Sequence, residues 1–262
     1  MFCGWLADGI DARAVGADPL VDRRARDYAA RDFKRFLKRE RGLGPASVNL
    51  ALAAVDHFYR HLGLERANVR REELPMVAPR ALDRDEQRVL MRAIERAEVR
   101  DRALVVLLLF AALRISEAVA LDLEDVRVSS RKGTVVVRSG KRDAYREVPL
   151  NALARQVLDE WIEARKGLAA GGERALFVSR AGGRLSARAA DASVRRVARD
   201  AGLVLSAHVL RHTCLTNLVR QKEDLVMVAE IAGHAKLETT RRYTLPSSAD
   251  RQAAMERLET EF

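Results

Sequence analysis

Six residues in the second half of the chain carry the side chains that a metal-independent phosphodiester reaction needs. Arginine supplies fixed positive charge in a planar fork that matches phosphate oxygens. Tyrosine supplies an oxygen nucleophile that can hold a phosphoryl group covalently, and lysine can act as a general acid. The six residues are Arg114, Lys141, His208, Arg211, His234 and Tyr243.

A phosphodiester resists attack because its negative charge repels nucleophiles. An enzyme must neutralise the two non-bridging oxygens, place a nucleophile in line and protonate the leaving oxygen. Mg²⁺ would require clustered carboxylates, which the sequence does not arrange convincingly, whereas two arginines can replace the metal. Cys3 and Cys214 belong to no CxxC or Cys/His pattern, so neither a disulfide framework nor a zinc site is expected. We therefore expect neither a metal nor a cofactor.

Each candidate taken alone has an ordinary structural explanation. Arg114 can simply pair with Glu117 three residues later on a helix. His208 and Arg211 share a helix face and together suit an anionic ligand, but the HxxR spacing is a weak signal. His212 is expected to point elsewhere and to be structural.

The C-terminal candidates are equally ambiguous from the residues alone. Tyr243 follows the string TTRR near a predicted helix end, a mobile place from which a nucleophile could be delivered. Its basic neighbours Arg241 and Arg242 are expected to lower the pKa of the hydroxyl. The alternative is a partly exposed aromatic residue, and His234 could be a core or capping histidine.

The candidate lysine lies in the string SGKRD, between two β-rich runs. A lysine at such a turn is usually only solvated. Its functional alternative is a general acid that reaches DNA and protonates the leaving oxygen. Lys132 and Arg142 compete with Lys141 for this role, and the residue pattern does not choose among the three.

In order and spacing, these residues resemble the catalytic domain of the tyrosine recombinase (phage integrase) family. ALRISEAVALDLEDV is similar to the family's first box, with Arg114 as its arginine and Glu117 as the usual acidic neighbour. GK, followed by REVPL, is similar to the family's β-hairpin lysine, HVLRHT to its HxxR box and AGHAKLETT to its LGH box. The chain departs from the usual pattern at three positions outside the six, which are Ala112 for glycine, Ala232 for leucine and Leu245 for histidine.

The resemblance implies a site-specific recombinase or integrase that uses neither ATP nor metal. Tyr243 would attack the scissile phosphate, forming a 3′-phosphotyrosine and freeing a 5′-hydroxyl, while Lys141 protonates the leaving oxygen. A partner 5′-hydroxyl would then attack, and recombination would proceed through a Holliday junction. The non-bridging oxygens would be bound by Arg114, Arg211 and His208, with His234 in support.

Hydrophobic periodicity predicts a mainly α chain with a small antiparallel β-sheet, an α+β fold. Helices are expected at 21–40 and 47–62, then a linker at 64–82, and a capping box at Asp83 opens the next helix. Short β-rich runs within 126–150 predict the sheet.

A further strand is predicted at 176–178, and the chain is helical again from residue 186. The resemblance implies a helical, SAM-like core-binding domain over 1–78 and a tyrosine recombinase catalytic domain with a tail helix over 79–262.

The chain has 47 Lys and Arg against 37 Asp and Glu, a net charge of +10. This excess favours a polyanionic partner such as nucleic acid, although a generally basic surface would look the same. The N-terminus has no signal-peptide pattern, and the longest apolar run, 103–113, is too short to cross a bilayer. We expect a cytoplasmic protein without a membrane partner. A basic helix face is a candidate for DNA contacts and comprises Arg24, Arg31, Arg35 and Lys38.

The resemblance further implies a homo-tetramer or hetero-tetramer on double-stranded DNA at a specific recombination site. The tail would dock on a neighbouring subunit, rather than on its own. Ser247 and Asp250 could cap the tail helix, and its docking edge would be Met255, Leu258 and Phe262.

Three other functions remain open. A non-catalytic DNA-binding relative would keep the fold, although all six residues are present. A topoisomerase IB or telomere resolvase would share the mechanism without exchanging partners, but the XerC/XerD-like boxes and compact N-terminal half favour recombination. A generic basic regulator fits least well.

Overall fold

The computed structural model describes residues 1–7, 18–74, 78–138, 145–234, 236–246 and 248–258. The chain divides into two compact units, Met1–Met76 and Val77–Phe262, and each has its own hydrophobic core. Within the described ranges, helices dominate and one three-stranded antiparallel sheet completes the fold. The predicted fold class, mainly α with a small antiparallel sheet, is confirmed. No helix in these ranges is long and apolar enough to cross a membrane.

The first unit contains three helices, α1 (Phe2–Ala7), α2 (Arg23–Arg39) and α3 (Pro45–His61). Asp22 caps α2 by accepting a hydrogen bond from the backbone N–H of Ala25. Pro45 occupies the first turn of α3, where its missing N–H has no intrahelical partner to lose. The core of this unit includes Phe2, Phe33, Leu37, Leu52 and Tyr59.

The segment after α3 has no regular secondary structure over residues 64–74, yet it is bound to the helices. Gly63 adopts a left-handed φ of +72° immediately after the helix, as expected of a residue that ends it. The Asn49 side chain donates to the carbonyl of Glu72 and accepts from its N–H, both at 2.8 Å. Much of the expected linker is therefore part of the first unit.

The second unit is organised around the largely apolar helix α5 (Val99–Phe110). The predicted capping box between Asp83 and Glu86 starts the helix before it. Helix α5 is apolar around most of its circumference and is packed by α4, α7, α8 and α9, as such a helix requires. The helices are α4 (Arg84–Arg96), α5 (Val99–Phe110), α6 (Ile115–Ala120), α7 (Ala152–Arg165), α8 (Ala187–Asp200), α9 (Ala207–Arg220), α10 (Leu225–Ala232), α11 (Leu237–Arg241) and α12 (Ser248–Leu258).

The sheet has strand order β1 (Val126–Val128), β2 (Gly133–Arg138) and β3 (Tyr145–Pro149), antiparallel throughout. Val135 pairs with Val148, and both side chains are buried against the helices. This is the sheet that the sequence predicts. The β2–β3 connection carries Lys141 and Arg142, which lie outside the described residues.

The strand predicted at 176–178 is wrong, because only isolated β-bridges form in this region. Trp161 Nε1 donates to the carbonyl of Leu176 at 3.0 Å, and Arg165 Nε donates to the carbonyl of Ala175 at 2.7 Å. Side chains of α7 thus satisfy backbone groups that a strand ladder would otherwise occupy.

Candidate active site

Tyr243 lies in the 3-10 turn Arg242–Thr244 that follows α11, and only 5% of the residue is exposed. The Tyr243 hydroxyl lies 2.7 Å from His212 Nδ1, its only hydrogen-bond partner among the described residues. The alternative of a partly exposed aromatic residue is therefore wrong. The ring packs in an apolar cluster with Ala112, Cys214, Leu215, Val228 and Ala232.

The electrostatics of Tyr243 differ from the expectation. Burial raises the pKa of the hydroxyl and outweighs the lowering by Arg211, Arg242 and Arg114. The prediction that basic neighbours lower this pKa is wrong for the free protein, because burial penalises the phenolate more than the cations favour it. A neutral phenol must lose its proton when it attacks.

Helix α9 carries three candidate side chains on one face. His208, Arg211 and His212 are spaced at i, i+3 and i+4, so they are neighbours on the helix surface. The rings of His208 and His212 lie edge to face with centroids 4.3 Å apart. The expectation that His212 points away from the site is therefore wrong, since its ring lies between His208 and Tyr243.

Arg211 is buried and connects two separate boxes of the sequence. Its Nη1 donates to the carbonyl of Ala112, and its Nη2 donates to the carbonyl of Ala232 at 2.6 Å. Burial and the nearby Arg114 lower its pKa to about 10, so the guanidinium stays charged at neutral pH. These contacts hold the cation in place before any ligand binds.

His234 follows the left-handed Gly233 that ends α10. Its Nε2 lies 3.2 Å from Arg211 Nη2, and its Nδ1 lies 2.9 Å from Thr240 Oγ1. A guanidinium can only donate, so Nε2 accepts, and Nδ1 carries the proton that is donated to Thr240. The His234 ring also stacks on Tyr243, with centroids 6.2 Å apart and planes 10° apart.

Arg114 precedes α6 and is held by Glu117. The Arg114 Nη1 donates to Glu117 Oε1 at 2.7 Å, and its backbone N–H donates to Oε2 at 2.8 Å. Arg146 of β3 donates to both carboxylate oxygens, at 3.1 and 2.8 Å, and its Nε donates to the carbonyl of Ile231 at 2.9 Å. Burial alone raises the pKa of Glu117, but hydrogen bonds from Arg146 and Arg114 outweigh it and lower that pKa to about 2.

The three histidines of the site are neutral at pH 7. Burial is the main cause that lowers the pKa of His212 and of His234 to about 4, and it also lowers the pKa of His208. Nearby arginines add to each effect. The permanent positive charge of the site therefore comes from arginine. No cluster of three or more His, Cys, Asp or Glu suited to a metal occurs among the described residues.

The basic face expected in the first unit is present on α2, where Arg24, Arg31, Arg35 and Lys38 are all exposed. Three of these four, all except Arg24, line a groove of about 280 Å³. Lys34, which the sequence prediction missed, also lines it and pairs with Glu72 at 2.7 Å. Lys38 pairs with the same carboxylate at 3.0 Å, so Glu72 offsets two of the cations in this groove.

Residues 80–249 match the model of the phage integrase family, which covers more than half of the chain. The chain belongs to the phage integrase family. It is 34% identical over 250 residues to tyrosine recombinase XerC of Chromohalobacter salexigens, covering 89% of this chain and 80% of that protein. It is 30% identical over 244 residues to tyrosine recombinase XerA of Pyrococcus furiosus, covering 87% and 80%. The resemblance drawn from the boxes is confirmed.

A solved structure gives the same assignment in three dimensions. The XerH site-specific recombinase bound to difH substrate, in a pre-cleavage complex, superposes with a TM-score of 0.68 at 26% identity, covering 87% of this chain and 69% of that one. The chain is therefore a tyrosine recombinase by sequence and by fold.

One departure from the usual pattern of the phage integrase family has a visible conformational cost. Ala112, which stands where the family usually has glycine, adopts a left-handed φ of 51°. That region costs a residue with a side chain about 1–2 kcal/mol. Because the Ala112 carbonyl accepts from Arg211, this backbone conformation helps to fix the second arginine of the site.

Sequence reasoning missed three site residues of this integrase, His212, Arg146 and Thr240. The i+4 spacing from His208 could have placed His212 on the same face, but its contact with Tyr243 joins positions 31 residues apart. Arg146 lies in strand β3, far from Glu117 in the sequence, so no local sequence pattern predicts their ion pair.

Lys132, a competitor of Lys141 in the sequence, lies exposed in the β1–β2 turn, whereas Lys141 belongs to the β2–β3 connection.

Proposed function

We propose that this recombinase cuts and rejoins double-stranded DNA at a specific recombination site in the cytoplasm, through a 3′-phosphotyrosine on Tyr243. One observation carries the proposal: arginine and histidine side chains from three separate boxes are brought together near Tyr243. Arg211 touches the carbonyl of Ala112, the carbonyl of Ala232 and the ring of His234. That ring stacks on Tyr243.

The arginines neutralise the phosphate during attack. Arg114 and Arg211 bind the non-bridging oxygens, with His208 as a third ligand and His234 in support. Both guanidinium groups are already held, one by Glu117 and the other by backbone carbonyls, so little reorganisation is needed in the transition state.

Lys141 is the general acid in this proposal. It lies outside the described residues, but the strand that follows it is tied to the site. Arg146, near the start of β3, binds Glu117 and the carbonyl of Ile231. Glu117 also binds Arg114, so the start of β3 is held close to this arginine. This position supports Lys141 as the residue that reaches the leaving 5′-oxygen.

The basic face of α2 contacts the phosphate backbone of the bound DNA in this proposal. DNA must displace the Glu72 contacts of Lys34 and Lys38 to use all of this charge. The relatives that guide this proposal include a recombinase bound to difH substrate, which supports DNA as the ligand of this chain. Affinity will fall steeply as salt rises, because phosphate contacts release counterions.

Recombination requires subunits to be brought together, and we propose a tetramer, of identical or related subunits, with exchange of tail helices. Met255 on α12 is exposed, consistent with the docking edge expected there. Leu258 lies at the end of α12, whereas Ser247 and Phe262 lie outside the described residues. Asp250, in the first turn, pairs with Arg220 of α9 at 2.8 Å, so exchange must replace this contact.

The experiment that tests the function begins with recovery of DNA covalently attached to the protein in cells, which identifies the target sequence. Purified protein is then given plasmids with two copies of that sequence. Recombinant products are expected from the wild type and from Tyr145→Phe, a control at an exposed tyrosine, but not from Tyr243→Phe.

Two results would contradict the proposal. Relaxation of supercoils on plasmids without the target, with no exchange of partners, would favour the topoisomerase alternative. Recovery of bound DNA only after formaldehyde cross-linking, with no covalently attached DNA in its absence, would favour the non-catalytic alternative.

A further inference from the structure

We propose that His212 is the proton acceptor of the reaction, taking the hydroxyl proton of Tyr243 through its Nδ1 as the tyrosine attacks. This inference rests on the proposed function and adds a seventh catalytic residue to the six. The observation behind it is direct: His212 Nδ1 lies 2.7 Å from the reacting oxygen. That is within the reach required of a general base.

The direction of this hydrogen bond follows from the surroundings of the phenol. The hydroxyl is buried and neutral, and His212 is its only partner among the described residues. A buried hydroxyl donates its proton when an acceptor is within reach. His212 therefore presents the lone pair of Nδ1 to Tyr243 and carries its own proton on Nε2.

Neither of the other two site histidines is placed for the same task. The Nε2 of His234 accepts from Arg211, and its Nδ1 donates to Thr240, so both ring nitrogens are engaged away from the hydroxyl. His208 contacts the ring of His212 rather than Tyr243.

The charges around His212 make the proton transfer depend on substrate. The charged and titratable groups near it are His208 and Arg211 on α9, Arg242 in the 3-10 turn, and His234, with Arg114 acting on the phenol. In the free protein they oppose an imidazolium, so the base cannot take the proton and the phenol stays intact. A bound phosphate adds a negative charge beside these cations, which favours the imidazolium.

The step balances in both directions. During cleavage the Tyr243 oxygen bonds to phosphorus, its proton moves to His212 Nδ1, and the bond from phosphorus to the 5′-oxygen breaks with a proton supplied by the general acid. During rejoining the incoming 5′-hydroxyl returns a proton to that acid, and the His212 imidazolium returns its proton to the phenolate that leaves.

The main test uses His212→Asn, whose side-chain oxygen can still accept from the hydroxyl but cannot hold the proton at neutral pH. On the recovered target, cleavage is expected to fall by about 100-fold or more at pH 7. The residual rate should rise tenfold per pH unit as the free phenol ionises. DNA affinity and melting temperature should stay close to those of His57→Asn, a control at an exposed histidine of α3.

A substrate with sulphur in place of the leaving 5′-oxygen separates the base from the acid. A thiolate leaves without a proton, so this substrate should restore cleavage by Lys141→Ala but not by His212→Asn. Imidazole in solution should partly restore His212→Gly. Normal cleavage by His212→Asn with an unchanged pH profile would overturn the proposal, as would rescue of that variant by sulphur.

A measurement on the free protein needs no target. The ¹⁵N spectrum of histidine should show His212 protonated at Nε2 with an unprotonated Nδ1, and a protonated Nδ1 would overturn the inference. The Tyr243→Phe variant tests the proposed function separately from the role of His212. Loss of cleavage in Tyr243→Phe with normal cleavage in His212→Asn would refute only the role of His212.

Discussion

Replacing Glu117 with glutamine removes a carboxylate that holds two arginines of the site. Arg114 and Arg146 both donate to Glu117, and Arg211 lies 3.9 Å from it. Glutamine keeps the volume and part of the hydrogen bonding but leaves three cations without their counter-charge. The variant should therefore lose stability and also lose the fixed orientation of Arg114.

The magnitude follows from the pKa of the Glu117 carboxyl. Its fall from 4.5 to about 2 in the folded protein corresponds to about 3 kcal/mol of stability at pH 7. The folded pKa lies below the unfolded one, so this contribution is complete above pH 4.5 and is lost as pH falls through 2. At pH 3 the difference between wild type and Glu117→Gln should shrink to about 1.5 kcal/mol.

The assay is urea unfolding followed by tryptophan fluorescence in a Trp5→Phe background. That change leaves Trp161, buried against Phe177 in the second unit, as the sole reporter. The matched control is Glu124→Gln, an exposed carboxylate paired with Arg138 and Arg174, which should cost less than about 1 kcal/mol. A loss for Glu117→Gln equal to that control, or a loss that does not change between pH 7 and pH 3, would show that Glu117 does not stabilise the protein through these arginines.

Three further changes test other parts of the site. Gly233→Ala should destabilise the second unit by about 1–2 kcal/mol in urea unfolding, because the residue has a φ of +63° and a Cβ would lie 2.7 Å from Arg146 Nη1. Thr240→Val should cost about 1 kcal/mol and move the His234 ring proton, which ¹⁵N spectra would report. Arg211→Ala should abolish cleavage with DNA binding retained in gel-shift assays, but it should also lower the melting temperature, since it leaves two carbonyls without their donor.

The helices and the sheet could be predicted because their signals are local. β-branched runs separated by turn residues give the strands, and the capping box at Asp83 marks the start of α4. The strand predicted at 176–178 is wrong because an apolar, β-rich run does not reveal whether a neighbouring strand is available to pair with it. In this case α7 supplies the donors to the carbonyls of Ala175 and Leu176.

The site could be predicted only as a set of residues, and its geometry required the fold. Spacing places His208 and Arg211 on one helix face, whereas the contact of His212 with Tyr243 depends on how the 3-10 turn packs against α9. The sign of the Tyr243 pKa shift was wrong because neighbouring charges are visible in the sequence and burial is not. The Arg146 ion pair likewise depends on where β3 lies.

The role of Tyr243 as the nucleophile is tested most directly by locating the covalent bond itself. DNA-linked protein from cells is trimmed with nuclease and protease, and the peptide that carries the remaining nucleotides is sequenced by mass spectrometry. We expect a nucleotide joined through its 3′-phosphate to Tyr243. Attachment at any other residue, or an equal yield of linked DNA from Tyr243→Phe, would contradict it.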